Sequence, residues 1–201
     1  MQVVCLALVL VFFAAVSNAC PDLAALRSDF VKSSKFSLSK LAGLWYEVAY
    51  HDLAQVGEKC QTYDKGNFQN ATRTHVAGVP EKFAFAYFDK SSPSSMKLFY
   101  ETTDQVGVFK RFLDAPLADQ MKFPSVIVDV TSSDDYATYD SITEYLCYSL
   151  AGIEYEEVRV GARLPAMDAA KLQTIEDSLV SAGVTCKVSL ADQSDCVYTK
   201  A

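Results

Sequence analysis

The sequence predicts an all-β domain: an eight-stranded antiparallel up-and-down β-barrel with one C-terminal α-helix packed on its outside. Three observations predict it. Runs rich in Val, Ile, Phe, Tyr and Thr, bounded by Gly, Pro, Asp, Asn or Ser, fill the middle of the chain. A single amphipathic segment follows them, after Pro165. The only tryptophan, Trp45, stands two residues after Gly43 at the head of the first run. Its ring favours burial and its N–H needs a partner.

The first segment is not part of the barrel. Val3 to Val16 is an unbroken apolar run of 14 residues, followed by Ser17-Asn18-Ala19 and Cys20. That pattern predicts a secretory signal peptide over 1–19 and a single mature domain over 20–201. The run is short of the roughly 20 residues that a membrane span needs, and no later segment is apolar enough to cross one. Pro21 to Ser39 is polar and reads as irregular.

Strands are predicted at 44–50, 58–64, 72–79, 83–89, 95–102, 125–132, 142–150 and 154–163. Alternation is clearest in Met96-Lys97-Leu98-Phe99-Tyr100-Glu101, where Met96, Leu98 and Tyr100 share a face. On the preceding run, either Phe83, Phe85 and Tyr87 or Ala84, Ala86 and Phe88 face inward; period two does not choose. The connection from Asp104 to Lys122 is long for a hairpin and reads either as holding a further strand at Val106–Leu113 or as a lid. Met167 to Ala182 reads as a helix with Leu172, Ile175, Leu179 and Val180 on its apolar stripe, Asp168 as N-cap and Gly183 as its stop. Closing eight strands removes exposed edges and leaves room for one small ligand.

Composition narrows the function. The formal charge of −7 argues against nucleic acid, whose phosphates need a basic face, and against anionic membrane surfaces. No C-x-x-C occurs and His51 and His75 are the only imidazoles, so no metal site is expected. No G-x-S-x-G is present, and the pairs Asp134-Asp135 and Glu156-Glu157 place neighbouring carboxylates on opposite faces of a strand. No catalytic residue is assigned. Beyond the signal, Cys20, Cys60, Cys147, Cys186 and Cys196 make an odd set, so one thiol is free or pairs with another chain. Asn70-Ala71-Thr72 is a glycosylation sequon, with Asn70 as acceptor.

Set in order, these motifs resemble the lipocalins, and within them the branch of apolipoprotein D, the bilin-binding proteins and insecticyanin. Cys20-Pro21 resembles the start of those mature chains. Leu41-Ala42-Gly43-Leu44-Trp45-Tyr46-Glu47 resembles the first family motif, and Gly57-Glu58-Lys59-Cys60 the cysteine before the second strand. Ala162-Arg163-Leu164-Pro165 resembles the third motif, and Asp192-Gln193-Ser194-Asp195-Cys196 the closing cysteine segment. Asp135-Tyr136-Ala137-Thr138-Tyr139 resembles the second motif, with Asp134 where a threonine is usual and two extra residues before Cys147. The long Asp104–Lys122 connection is a second departure.

The resemblance implies the rest. Trp45 packs across the closed end of the barrel with Arg163 over its ring; Arg159 is the competing partner. The disulfides are Cys20–Cys147 and Cys60–Cys196, leaving Cys186. The function implied is secreted, extracellular binding and transport of a small hydrophobic molecule: a lipid, sterol, retinoid, carotenoid or bilin. No cofactor is required beyond such a bound lipid or pigment. Phe85, Tyr87, Met96, Leu98, Tyr100 and Tyr145 are the cavity candidates, and an apolar, aromatic-lined cavity is expected. The alternatives are a lipocalin-fold enzyme acting on a bound lipid or pigment, and a pigment-assembly subunit in which barrels pair as a homo-oligomer, crosslinked through Cys186.

Overall fold

A computed structural model describes residues 20–72, 76–87, 94–116, 120–132, 138–150 and 153–198. The 1–19 segment lies outside the described residues.

Eight antiparallel strands form the wall: β1 (Gly43–His51), β2 (Glu58–Lys65), β3 (Gly78–Tyr87), β4 (Ser94–Thr102), β5 (Val108–Leu113), β6 (Phe123–Ser132), β7 (Tyr139–Leu150) and β8 (Ile153–Ala162). Each pairs with the next in sequence, and β1 pairs with both β2 and β8, which closes the barrel. A two-residue strand, β9 (Ser189–Leu190), lies against β1 from outside.

Two strand assignments change. Among the described residues of 72–79 and 83–89, Gly78, Val79 and Phe83 to Tyr87 belong to one strand, β3, which runs from Gly78 through Pro80 to Tyr87. Pro80 sits past the end of β2, where its carbonyl accepts from Gly66 N–H at 2.7 Å. The eighth strand is β5, within the long connection. It pairs with β4 and β6, so the segment is wall and not lid.

Alternation divides the apolar residues between two layers. The inner cluster includes Trp45, Tyr63, Phe83, Phe85, Tyr100, Phe109, Ile127 and Ile142. The outer cluster, with Val48, Val126, Val128, Tyr145, Val158 and Val160, lies beneath helix α2 (Ala169–Ser181). Leu179 of α2 is buried there, and Leu172 and Ile175 pack alongside. Val180, expected on the same stripe, is exposed. Asp168 caps α2 by accepting from Ala170 N–H at 2.7 Å, and Gly183, at φ +93°, ends it.

The 21–39 stretch is more ordered than its polarity implies. It holds a one-turn helix, α1 (Asp29–Lys32), and a 3-10 turn follows at Leu38–Leu41. Leu26, Val31, Phe36 and Leu41 are buried. Val31, Phe36 and Leu41 join the inner cluster at the end where β1 begins.

Disulfides Cys20–Cys147 and Cys60–Cys196 tie both terminal segments to the wall, the pairs that the resemblance implied. Cys60 takes φ +57° at a break in the β2–β3 register. Gln193 reinforces the second strap, its Nε2 donating to the carbonyls of Glu47 (2.7 Å) and Gln61 (3.0 Å).

Candidate functional site

The two ends of the barrel differ. At the closed end the Arg163 guanidinium lies 3.7 Å from the Trp45 ring centroid. Its nitrogens donate to the carbonyls of Leu44 (2.8 Å), Ala42 (2.9 Å), Tyr139 (3.1 Å) and Lys40 (3.3 Å). Trp45 Nε1 donates to Leu41 O at 2.8 Å. Gly43 is needed here: it adopts φ +100°, and a Cβ would stand 3.3 Å from Arg163 Nη1. The competing residue, Arg159, lies inside the barrel, 4.2 Å from the Tyr63 ring centroid.

The interior above this plug is charged. Glu47, Lys65, Glu81, Glu144, Glu157 and Arg159 are all buried. Lys65 Nζ bridges Glu81 (2.6 Å) and Glu144 (2.9 Å). Arg159 Nη1 donates to Glu81 Oε1 at 2.9 Å and to Tyr100 Oη at 2.8 Å. Arg111 forms a two-pronged pair with Glu157. This charged layer departs from the apolar lining expected, and β8 shows why. In Glu157-Val158-Arg159-Val160 the valines pack outward beneath α2, and the charged residues turn in.

Burial tunes these groups. It pushes the Glu47 carboxyl up to about 8, more than the nearby Arg159 lowers it. Burial also works against charge on Glu81, but Arg159 and Lys65 overcome it and hold that carboxyl at about 2. Burial alone would lower Lys65; Glu144 and Glu81 outweigh it, and its ammonium is held above its usual range.

A cavity of about 300 Å³ opens above this layer, at the end carrying the β1–β2 and β7–β8 connections. Phe83, Met96, Leu98, Phe123, Tyr148 and Tyr155 supply its walls. Arg111, Glu157 and Arg159 lie at its floor, and Asp52, Gln55 and Glu58 on the β1–β2 side. The volume is at the small end of ligand sites, and a few polar groups within apolar walls are their usual composition.

Of the sequence candidates, Met96 and Leu98 line this cavity. Tyr100 lies deeper and is fully engaged with Arg159 and Glu81. Phe85 is buried against Phe83, their ring centroids 5.4 Å apart. The Tyr87 side chain lies outside the described residues. Tyr145 is corrected: it faces the outer layer, where its hydroxyl donates to Glu156 at 2.5 Å. Strand β7 turns Ile142, Glu144 and Leu146 inward, so Tyr145 and Cys147 point out. Cys147 is bonded to Cys20 and offers no thiol to the interior. Cys186 is the free cysteine among the described residues, half-buried, its thiol pushed up by burial to about 11. His51 is outside the cavity, its Nδ1 2.9 Å from Lys187 O. No cluster of metal-ligating side chains occurs among the described residues.

Arg111, Glu157 and Arg159 were missed as floor residues. In β8 the signal was present as Glu157 and Arg159 alternating with Val158 and Val160, but alternation does not say which face is inside; in β5 Arg111 stands directly after Lys110, with no alternation to single it out.

A second space of about 460 Å³ lies outside the barrel, between α2 and strands β6 and β7. Hydroxyl and aliphatic side chains line it together with the charged Asp129 and Lys171, without an aromatic ring. No buried side-chain atom there lacks a hydrogen-bond partner among the described residues.

Eight strands in up-and-down order, a tryptophan–arginine plug at one end and a helix on the outside decide the architecture. This is the lipocalin fold. Solved lipocalin-fold structures superpose on most of the chain. Insecticyanin from the tobacco hornworm Manduca sexta matches with a TM-score of 0.58 at 14% identity, over 84% of this chain and 87% of that one. Lobster apocrustacyanin A1 matches with a TM-score of 0.58 at 14% identity, over 79% and 81%. The siderocalin Ex-FABP, described as acting through dual ligand specificities, matches with a TM-score of 0.51 at 13% identity, over 77% and 95%. No family model matches the sequence, and no curated protein matches it.

Proposed function

We propose that this lipocalin-fold protein is a secreted carrier that holds a small, largely apolar molecule in the cavity at the open end. One observation carries the reading: a cavity of about 300 Å³, walled by Phe83, Met96, Leu98, Phe123, Tyr148 and Tyr155, at the end opposite the Trp45–Arg163 plug. Moving apolar surface from water onto these walls supplies the driving force, and the polar floor orients the guest. The similarity in fold to insecticyanin, apocrustacyanin and a siderocalin with dual ligand specificities supports a binding role.

Secretion follows from the apolar 1–19 segment read as a signal, with two disulfides that suit an oxidising compartment. No described helix is long and apolar enough to cross a membrane. Asn70 is exposed, as a glycosylated residue must be.

Native mass spectrometry of protein from a eukaryotic secretory host, followed by solvent extraction, tests the reading. A chain starting at Cys20 with an extractable apolar adduct is expected. A protein that carries no such compound and takes up none when offered sinks it.

A further inference from the structure

Arg159 is 2% exposed, and only the two N–H groups of Nη1, out of five on its guanidinium, have acceptors among the described residues. Nη1 serves Glu81 and Tyr100. The other edge of the guanidinium, the fork of Nε and Nη2, has no acceptor among the described residues. The nearest carboxyl oxygens to Nε are on Glu47 at 3.6 Å and Glu157 at 3.9 Å, beyond hydrogen-bond reach. Leaving such donors unmatched in a buried site costs more than a typical hydrogen bond returns. Arg159 borders the open-end cavity, and a guest oxygen seated against that edge would meet these unmatched donors.

Charge decides what kind of oxygen. At neutral pH, where buried Glu47 keeps its proton, three interior carboxylates (Glu81, Glu144 and Glu157) already match three cations (Lys65, Arg111 and Arg159). Arg111 is already committed to Glu157, and Lys65 to Glu81 and Glu144. Asp52 and Glu58 add acidic groups beside the cavity. Among the described residues that line the cavity, no cation is left to balance a guest carboxylate, and burying an uncompensated charge is costly. A neutral carbonyl oxygen accepts from the same fork without adding charge.

We infer that the cavity selects a neutral carbonyl compound, an apolar ketone, aldehyde or ester whose oxygen accepts from Nε and Nη2 of Arg159, over a fatty acid of equal length. The inference rests on the carrier reading and names its ligand class.

The test is competition against Nile red, a neutral probe, at neutral pH. The competitors are methyl nonyl ketone, undecanoic acid and undecane. The ketone is expected to displace the probe at about tenfold lower concentration than the acid or the alkane, the worth of one buried hydrogen bond. In a folded Arg159→Lys variant, which keeps the charge but not the fork, that advantage disappears. A tighter acid overturns the inference, because the head group is then anionic. Equal ketone and alkane overturn it too, as does an undiminished ketone advantage in folded Arg159→Lys; in all three cases the carrier reading stands. Where the variant does not fold, the three competitors on the unaltered protein decide alone. If neither Nile red nor any competitor binds, the carrier reading itself fails, and the inference with it.

Discussion

Arg163 covers the face of Trp45 at 3.7 Å while its nitrogens reach four backbone carbonyls, three of them in the Lys40–Leu44 segment. One side chain thus binds the end of β8, the start of β1 and the 3-10 turn before it. Replacing Arg163 with Met removes the cation–π contact and leaves those carbonyls without their donor. The expected loss is about 2–3 kcal/mol in urea unfolding. Trp45→Ala empties a fully buried site and costs about 3–5 kcal/mol. Trp45→Phe falls between that and the unaltered protein.

The wall tolerates no side chain at Gly161. A Cβ there would lie 1.7 Å from the Tyr63 hydroxyl and 2.5 Å from its Cζ. Gly161→Ala therefore displaces Tyr63 and lowers the melting temperature. Pairing it with Tyr63→Phe removes the closest atom and recovers part of the loss, since Tyr63 Oη has no hydrogen-bond partner of its own among the described residues.

Stability depends on pH through two interior carboxyls with opposite signs. Native Glu47 keeps its proton to about pH 8, whereas the unfolded chain releases it near 4.5. Its contribution is complete below 4.5 and is lost as pH rises towards 8. Glu81, held at about 2, behaves in reverse: its contribution is present above 4.5 and is lost as pH falls towards 2. Glu47→Gln should flatten the alkaline limb of a stability–pH profile and leave the acid limb intact. Urea midpoints collected across the range check this.

Each disulfide closes a long loop, Cys147 lying 127 positions after Cys20 and Cys196 lying 136 positions after Cys60. Replacing either pair with serines is expected to cost about 2–4 kcal/mol. Loss of Cys60–Cys196 should also free the Gln193 strap, giving faster hydrogen exchange around Glu47 and Gln61 than loss of the other bridge.

Much of the wall is legible in the sequence because strand β propensity and the flanking turn residues agree. The strands β1, β2, β4, β6, β7 and β8 start and stop within a few residues of the Gly, Pro, Asp and Ser boundaries. β5 was ambiguous because Lys110 and Arg111 interrupt its apolar run. The 72–79 segment contains the β-formers Thr72, Thr74, Val76 and Val79, yet among its described residues only Gly78 and Val79 join a strand. The interior was not legible, for a reason that is physical. Alternation in β8 separates Val158 and Val160 from Glu157 and Arg159, but a helix over the outer face makes that face the apolar one. Tyr145 faces the outer layer for the same reason, and nothing in the sequence around Arg159 distinguishes an interior role from a place over Trp45.

The carrier reading places the guest inside the open end and not in the larger space beneath α2. Nile red binding to the unaltered protein and to Leu98→Trp separates the two most directly. Leu98 lines the open-end cavity on β4 and is far in sequence from α2, and an indole there fills the space while the wall stays paired. The account predicts saturable binding at one site in the unaltered protein and its loss in a Leu98→Trp variant of unchanged circular dichroism. Undiminished binding in that folded variant would contradict it.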